Sequence, residues 1–235
     1  MKLICVVITA FNEEKNLPKC LEALTNQNFP KENYDIIVVD NNSTDKTAEI
    51  ARSFGAEVIN ERKQGNTFAA KLGMDSATGE IIAMVDADTV VDRNWLFEIS
   101  KVFRNPKIVA ATGMGYVKSG SKLMDIFEQN FYEYFLKLHY LIGKPHITGF
   151  NLAVRKTAYD KIGGINEKFT MSPDIDLGLR IKKEGKVIFD KNMRALTSLR
   201  RWQETPFDAF TTYFKGYLWA VWFRKPPPVK QKVIR

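Results

Sequence analysis

Short apolar runs that alternate with helical segments constrain the fold of this chain most strongly. Residues 3–9 and 35–39 are rich in Ile and Val, and each run is too short and too apolar for anything but a buried strand. Residues 17–24 lie between these runs and place apolar side chains at helical spacing. The three segments together predict a βαβ unit.

The alternation continues along the first half of the chain. It predicts a helix near 44–53, a strand near 56–60, a helix near 65–77 and a strand at 80–85. Such a pattern indicates an α/β fold, in which a mainly parallel, twisted sheet is flanked by helices on both faces. The chain has 235 residues, of which 45% are hydrophobic, enough for the core of one domain.

The second half of the chain is less regular. Residues 121–142 predict an amphipathic helix whose apolar stripe is expected to face the core. The stripe comprises Leu123, Phe127, Phe131, Tyr134, Leu138 and Leu141. A strand over 147–155, a turn at Gly163-Gly164 and a helix that starts near Asp174 are expected to follow.

Polar clusters follow three of the predicted strands, at 9–13, 40–44 and 86–89. In open α/β sheets, ligands bind outside the carboxyl ends of the strands. The three clusters are therefore expected to meet at one edge of the sheet. The segment 41–45 is also typical of a turn and helix N-cap, and the two interpretations are compatible.

Asp86-Ala87-Asp88 directly follows an apolar run, so it places two carboxylates at the end of a buried strand. Carboxylates in such a position are costly to desolvate unless a cation lies between them and a ligand. A divalent metal that holds a diphosphate would meet this need. Because acidic pairs are also common in solvated turns, the motif alone gives only a hypothesis.

The formal net charge of +8 and the pI of about 9.3 favour polyanionic partners. Nucleic acid, anionic lipid headgroups and phosphorylated small molecules all belong to that class. No zinc finger, helix-turn-helix or aromatic RNA-binding motif is evident in the sequence, so we do not expect nucleic acid as a partner.

The chain contains two cysteines, Cys5 in a predicted strand and Cys20 in a predicted helix. Their spacing fits no zinc site, and we expect buried thiols in a reducing compartment. The apolar stretch after Lys2 is short and ends in polar residues, unlike a secretory signal. These features predict a cytoplasmic location, at the face of the membrane if the chain binds lipid.

Five segments, taken in their order and spacing, resemble the inverting glycosyltransferases of family 2, enzymes of the GT-A fold that use nucleotide-sugar donors. The resemblance covers roughly residues 1–190. The segments are Thr9-Ala10-Phe11-Asn12-Glu13, Val38-Val39-Asp40-Asn41-Asn42-Ser43-Thr44-Asp45, 65–73, Asp86-Ala87-Asp88 and Asp174-Ile175-Asp176-Leu177-Gly178-Leu179-Arg180.

The resemblance implies a donor site along the strand ends. Its first loop, 10–13, would wrap the nucleotide base, and Asp40 would accept a hydrogen bond from a ring N–H of uracil or guanine, with UDP-sugars favoured. Gly65 would open a helix whose N-terminus faces the phosphates beside Arg62 and Lys63, although a plain loop-to-helix junction is the alternative. The implied donor-site residues are Thr9, Ala10, Phe11, Asn12, Glu13, Asp40, Asn42, Arg62, Gly65, Lys71, Asp86, Ala87, Asp88, Arg201 and Trp202.

By the same resemblance, Asp86 lies near the ribose and the metal, and Asp88 coordinates the metal that bridges the two phosphates. Hard oxygen ligands suit Mn²⁺ and Mg²⁺ equally, so the sequence does not separate the two ions. The metal would neutralise the charge that grows on the departing nucleoside diphosphate.

Asp174 matches the position of the catalytic base, which takes the proton of the attacking acceptor hydroxyl. The alternative is a simple helix cap, for a helix whose apolar face is formed by Ile175, Leu179 and Ile181. Asp176 would be a structural or metal-proximal partner.

Two positions depart from the family pattern. Pro173 stands where the family often has Glu, which is compatible with a helix start but removes a carboxylate that would contact the acceptor. Arg200-Arg201-Trp202 resembles the end of the Gln-x-x-Arg-Trp motif of processive synthases, with Ser198 at the Gln position. Arg201 would bind the diphosphate and Trp202 would stack on an acceptor sugar, or the segment is a cationic loop with one buried indole.

We expect a GT-A domain over 1–200, with a nucleotide-binding half at about 1–115 and an acceptor-binding half at about 116–200, followed by a C-terminal segment, 201–235. That segment has apolar residues at helical spacing and a basic tail, a pattern that favours a helix lying in an anionic membrane interface. A helix closing over the cleft and a dimer contact are alternatives. The apolar residues are Phe207, Phe210, Phe214, Tyr217, Leu218, Val221 and Trp222.

These features predict a metal-dependent inverting glycosyltransferase whose acceptor is a polyprenyl-phosphate, a lipid-linked sugar or a saccharide. One alternative is a sugar nucleotidyltransferase. Such an enzyme would need a Gly-rich loop after the first strand, where this chain has Ala10-Phe11-Asn12-Glu13, so this alternative is disfavoured. The other alternative is a catalytically silent nucleotide-sugar-binding protein that recruits partners at the membrane, and Pro173 is the one feature that favours it.

Overall fold

The computed structural model describes residues 2–116, 122–198 and 215–228, and within 122–128 it describes only the side chain of Asp125. The strands are β1 (Ile4–Ala10), β2 (Tyr34–Asp40), β3 (Glu57–Asn60), β4 (Ile81–Asp86), β5 (Val90–Val91), β6 (Ile108–Tyr116), β7 (Leu152–Arg155) and β8 (Lys186–Leu196). The helices are α1 (Leu17–Thr25), α2 (Thr47–Ser53), α3 (Asn66–Ser76), α4 (Trp95–Phe103), α5 (Lys122–Leu141), α6 (Lys156–Lys161) and α7 (Pro173–Ile181). A 3₁₀ turn spans Lys31–Asn33, and a helical segment over 215–223 ends in a π-helical turn, Trp219–Phe223.

The strands described form one sheet in the order β3-β2-β1-β4-β7-β6-β8-β5. Strands β1, β2, β3 and β4 pair in parallel, as do β6 and β8. Strand β7 runs antiparallel to both its neighbours, and the two-residue β5 runs antiparallel to β8. The predicted mainly parallel α/β sheet is therefore confirmed.

Helices cover both faces of this sheet. All seven residues of β1 are buried, which explains its unbroken run of apolar side chains. On one face, Leu21 of α1 and Leu96 of α4 belong to the core cluster. On the other face, Met74 of α3 and Leu177 of α7 belong to a second cluster.

The helices and strands predicted in the first half of the chain are all present, with boundaries that differ by no more than a few residues. The strand predicted over 147–155 is confirmed only for Leu152–Arg155. Residues 147–151 instead form a loop, in which the Asn151 amide donates to the Thr148 carbonyl and the Gly149 amide donates to Asp174. These bonds fold residues 147–151 into a turn, and the Asn151 carbonyl still accepts the Gly113 amide of β6 at 3.2 Å.

The orientation predicted for α5 was wrong. Among the stripe residues whose side chains are described, Phe131, Tyr134, Leu138 and Leu141 are exposed by 54–84%. Neighbouring side chains, including Leu136 and His139, are buried instead. The helix packs on β6 and β8 with this second face.

Asn151 joins separate parts of the fold through its buried side chain. Its Oδ1 accepts the indole N–H of Trp95 at 2.8 Å, and its Nδ2 donates to the carbonyls of Met193 at 2.8 Å and Met114 at 3.2 Å.

Replacing Asn151 with Leu should lower the free energy of unfolding by about 2–4 kcal/mol, because three polar groups lose a partner in a dry environment. Urea denaturation would measure the change, with Asn192→Leu at an exposed site of β8 as the matched control. Equal stabilities of the two variants would show that the Asn151 bonds contribute little.

Candidate active site

The site is built at the carboxyl ends of three neighbouring strands. In the register of the sheet, Thr9 lies beside Asp86 and Ala10 lies beside Asp40. The loops that follow β1, β2 and β4 therefore start at one edge of the sheet. This agrees with the prediction from the polar clusters that follow these strands. The loop after β4 is tight, because the Thr89 amide donates to the Asp86 carbonyl at 3.0 Å.

The loops after β1 and β2 hold each other in place. The Asn12 amide donates to Ser43 Oγ at 2.9 Å, and the Thr44 amide donates to Asn12 Oδ1 at 2.8 Å. The Glu13 amide donates to Thr47 Oγ1 at 2.8 Å. Asn12 adopts a positive φ of 53°, a conformation that Asn tolerates better than most residues.

The side chain of Asn41 holds the loop that leads into α3. Its Nδ2 donates to the carbonyls of Glu61 and Lys63, each at 2.9 Å. Its Oδ1 accepts the amide of Gly65 at 2.7 Å. Gly65 has a φ of 139°, a backbone conformation that favours glycine, and it caps α3 directly beside the site.

A cavity of about 1120 Å³ runs from the strand ends to α5 and α7. On the side of the strand ends it is lined by Thr9, Ala10, Phe11, Glu13, Asn41, Lys63, Gly65, Asp86, Ala87 and Asp88, among others. On the opposite side it is lined by residues that include Tyr132, Phe135, His146, Thr148, Gly149, Phe150, Pro173, Asp174 and Tyr217. The two predicted acidic motifs therefore share one cavity.

Asp86 and Asp88 lie close to a third carboxylate. Burial, followed by the carboxylates of Asp88, Asp86 and Glu13, raises the pKa of the Cys20 thiol far above its ordinary value. Three acidic groups thus act on one buried thiol. Cys5 is buried as well, and burial raises its pKa to about 11, so both thiols are buried as predicted.

The residues at this edge fit a divalent metal that is shared with a diphosphate. Within the described ranges, no three His, Cys, Asp or Glu side chains are placed to hold an ion by themselves. Mg²⁺-type sites in enzymes commonly take one or two carboxylates from the protein and complete their shell with phosphate oxygens and water. The pair Asp86 and Asp88, on the cavity wall, supplies that donor set.

Asp174 is the second residue of α7, directly after Pro173, and two amides hold its carboxylate. Oδ2 accepts the Gly149 N–H at 2.8 Å, and Oδ1 accepts the Ile175 N–H at 2.9 Å. Burial raises the pKa of Asp174 above its ordinary value, while these amide bonds oppose the shift. A carboxylate with a raised pKa is a better proton acceptor.

Helix α7 is anchored on two sides. Ile175 and Leu179 pack against Ala220 and Val221 of the C-terminal segment, whereas Leu177 faces the sheet core. The apolar face predicted for this helix is therefore buried.

Asp176 forms an ion pair with Arg180 at 2.7 Å. The Arg180 guanidinium also donates to the carbonyls of Ile162, at 3.0 Å, and Gly164, at 2.7 Å. This network places Asp176 in a structural role next to the Gly163-Gly164 turn, where both glycines have positive φ.

The far wall of the cavity combines aromatic rings with His146, whose ring centroid lies 5.9 Å from that of the buried His139. The Nδ1–H of His139 donates to the Phe135 carbonyl at 2.6 Å, and its Nε2 is hydrogen-bonded to the hydroxyl of Tyr217. His146 stacks on Tyr217 with ring centroids 6.3 Å apart. Burial lowers the pKa of His146 to about 3, so this ring is neutral at physiological pH.

Several predicted donor-site residues do not line the cavity. Asn12 is engaged with Thr44, and Asp40 Oδ1 accepts the Ser43 amide at 3.1 Å. Asn42 donates to the Arg62 carbonyl at 2.8 Å, and the Arg62 side chain is exposed.

Lys71 pairs with Asp75 at 2.7 Å on α3 and is also absent from the cavity lining. The Asp40 carboxylate caps the turn that follows β2. Arg201 and Trp202 lie outside the described residues.

The sequence interpretation missed Asn41 and most of the far wall. Asn41 belongs to the predicted polar cluster, but nothing local shows that its side chain reaches residues 61–65. Thr148 and Gly149 were assigned to a strand, and Tyr132 and Phe135 lie off the predicted stripe of α5. Only their long-range contacts show that they belong to the cavity.

The fold and the strand-edge site define a family. Residues 5–163, more than half of the chain, match the sequence model of the glycosyl transferase family 2. The chain therefore belongs to this family. Among solved structures, a mannosyltransferase from Pyrobaculum calidifontis in complex with GDP-Man and Mn²⁺ superposes with a TM-score of 0.76 at 19% identity, covering 96% of this chain and 66% of that one. TarS 1-349 of S. aureus in complex with UDP gives a TM-score of 0.67 at 17% identity, covering 87% and 63%. The GT-A fold is thus confirmed.

Curated relatives match over part of their length. Glycosyltransferase AglE of Haloferax volcanii is 37% identical over 102 residues, which cover 41% of this chain and 34% of that protein. A beta-monoglucosyldiacylglycerol synthase of Nostoc is 27% identical over 194 residues, covering 77% and 41%. The chain spans about a third to two fifths of the length of these relatives. None of the helices in the described ranges is both long and apolar enough to cross a bilayer.

Proposed function

We propose that this chain is an inverting glycosyltransferase, which moves a sugar from a nucleoside-diphosphate sugar to a hydroxyl or phosphate oxygen of a lipid-linked or saccharide acceptor. The observation that carries the proposal is the single cavity that contains both Asp86-Ala87-Asp88, at the strand ends, and Asp174, on α7. Sugar transfer needs positive charge beside the leaving diphosphate and a base that removes the proton of the acceptor.

The donor would lie along the edge formed by β1, β2 and β4. Gly65 and the start of α3 line this part of the cavity, where a helix N-terminus favours an anionic phosphate. Lys63 also lines it, and its ammonium pairs with Glu167 at 3.2 Å. Asp88, with Asp86 beside it, would hold Mn²⁺ or Mg²⁺, which supplies positive charge to the departing diphosphate.

Asp174 would act as the base. It would take the proton of the acceptor oxygen while that oxygen forms a bond to the anomeric carbon. The bond from this carbon to the phosphate oxygen breaks on the opposite face, and its electron pair leaves with the nucleoside diphosphate. The Gly149 and Ile175 amides fix the carboxylate for this step.

The far wall of the cavity and the relatives both support a lipid-linked acceptor. Aromatic rings of Tyr132, Phe135 and Tyr217 line that wall and suit a sugar face or an alkyl chain. The curated relatives include a beta-monoglucosyldiacylglycerol synthase and a transferase named for a dolichyl phosphate substrate. We therefore favour a lipid-linked acceptor, with 1–115 as the donor half and 116–200 as the acceptor half, acting at the cytoplasmic face of the membrane.

Calorimetry with UDP and GDP, each with Mn²⁺ and with EDTA, tests the proposal. We expect one nucleotide to bind with a dissociation constant in roughly the micromolar range and to lose most of its affinity without metal. UDP is the first choice. Slow hydrolysis of the matching donor in the absence of acceptor would distinguish an enzyme from a silent binding protein. If neither nucleotide bound, the chain would retain the family fold without the donor site.

A further inference from the structure

Large exposed hydrophobic side chains are concentrated in two adjoining segments. We define the apolar patch as Tyr134, Leu138, Leu141 and Ile142, at the end of α5, with Trp222 and Phe223 of the C-terminal segment. Their exposed fractions range from 48% to 84%. Apart from Phe131, which precedes the patch on α5, Phe97 on α4 is the other large hydrophobic side chain exposed in the described ranges.

Direct contacts join the two segments into one surface. The Lys144 ammonium lies 3.2 Å from the centroid of the Trp222 ring. His139 of α5 is hydrogen-bonded to Tyr217 of the C-terminal segment. The end of α5 and the residues around Trp222 are therefore neighbours, although about 80 residues separate them in the chain.

The patch is bordered by cations. Lys144 and Lys182 lie at its edge, where the Lys182 ammonium donates to the Gly143 carbonyl at 2.5 Å. Arg224 and Lys225 directly follow Phe223 and are exposed. Lys137 is exposed as well, but Glu133 neutralises it at 2.5 Å.

We propose that the apolar patch docks this protein on an anionic lipid bilayer. Exposed Trp, Tyr and Leu side chains rimmed by Lys and Arg have the composition of a surface that lies in a membrane interface. The cations complement acidic headgroups. A second copy of the chain fits less well, because a twofold contact would bring like charges of both rims together.

The docking surface adjoins the far wall of the cavity. Phe135 of α5 and Tyr217 of the C-terminal segment line the cavity, and the same two elements carry the patch. An acceptor with a lipid tail in the bilayer would thus meet the cavity from the docked face. This inference rests on the proposed action at a membrane and deepens it, since it names the surface that meets the lipid.

Vesicle flotation of the full chain tests the proposal. Vesicles of phosphatidylcholine that contain phosphatidylglycerol are expected to carry the protein, and pure phosphatidylcholine vesicles are expected to carry much less. The double variant Leu138→Glu/Leu141→Glu should reduce the partition coefficient by about tenfold or more, because two charges enter the apolar contact. Phe97→Glu is the matched control and should float like the wild type.

Three results would overturn the proposal. They are absence of flotation with either vesicle, equal flotation of the double variant and the wild type, and a wild-type dimer in sedimentation that the double variant dissociates. The last result would assign the patch to a second copy of the chain. Nucleotide binding by the double variant should be measured in parallel. If the variant no longer docks but still binds nucleotide, the substitutions have changed the lipid-binding surface and not the donor site, so the two proposals are tested separately.

Discussion

Asp174→Asn is expected to reduce the rate of sugar transfer by about 10²–10⁴-fold while leaving nucleotide binding intact. An amide cannot take the proton of the acceptor, and removal of a positioned base typically has an effect of this size. Asn retains an oxygen that can accept the Gly149 amide, which now donates to Oδ2 at 2.8 Å. The variant should therefore fold, and steady-state rates with a matched donor and acceptor would measure the loss.

The pH dependence gives a second test of the same residue. Burial raises the pKa of Asp174, so a larger fraction of this carboxyl is protonated, and inactive as a base, as the pH falls. The rate should fall about tenfold per pH unit below the raised pKa. The residual rate of the Asn variant should lack this acid limb.

Protonation of Asp174 lowers the rate of sugar transfer but favours the folded state. Because the raised pKa means that the folded state favours the protonated form, Asp174 opposes folding at neutral pH, and this opposition disappears as the pH falls through the raised pKa. The uncharged Asp174→Asn variant should therefore be no less stable than the wild type near neutral pH, and urea denaturation of both proteins would check this.

Asp176→Asn is the matched control, because it removes a carboxylate two residues away on the same helix. Asp176 pairs with Arg180 and does not line the cavity. Its loss should therefore lower the free energy of unfolding and have little effect on the rate of sugar transfer. A wild-type rate in Asp174→Asn would refute the assignment of the base.

Asp88→Ala is expected to weaken metal-dependent nucleotide binding on the order of 100-fold or more, because a metal ligand shared with the diphosphate is lost. Calorimetry in Mn²⁺ and in EDTA would measure it, and the affinity in EDTA should change little. Asp35→Ala is the control, since that carboxylate lies near the opposite end of β2 and contacts only Lys2, at 3.7 Å, among the described ion pairs. Wild-type affinity of Asp88→Ala in Mn²⁺ would contradict the metal site.

The stability of Asp88→Ala provides an internal check. Asp86, Asp88 and Glu13 all raise the pKa of the Cys20 thiol, so the three carboxylates lie near the same buried group. A melting temperature of Asp88→Ala close to that of the wild type would show that the variant is folded. A loss of binding in this variant would then reflect the site and not the fold.

The sequence alone determined the sheet and the position of its ligand edge. The unbroken apolar runs of β1 and β4 require burial on both faces, and polar residues can follow such strands only where the backbone leaves the core. Asp86 and Asp88 were placed by this argument, whereas Asp174 was identified by the resemblance of its segment to the family 2 glycosyltransferases. All of these features depend on residues close together in the chain, where pattern and periodicity carry information.

Only the tertiary structure decided which side chains enter the cavity. Helix α5 has two apolar faces, so its periodicity could not show that Leu136 is buried while Leu138 and Leu141 are exposed. Asp40 and Lys71 were assigned to the donor site by resemblance; they do not line the cavity, and they bond locally to Ser43 and Asp75. The far wall depends on contacts between residues that are distant in sequence, such as the hydrogen bond between His139 and Tyr217. Their contact depends on the packing of α5 on β6 and β8 and of the C-terminal segment on α7, and no local pattern encodes such packing.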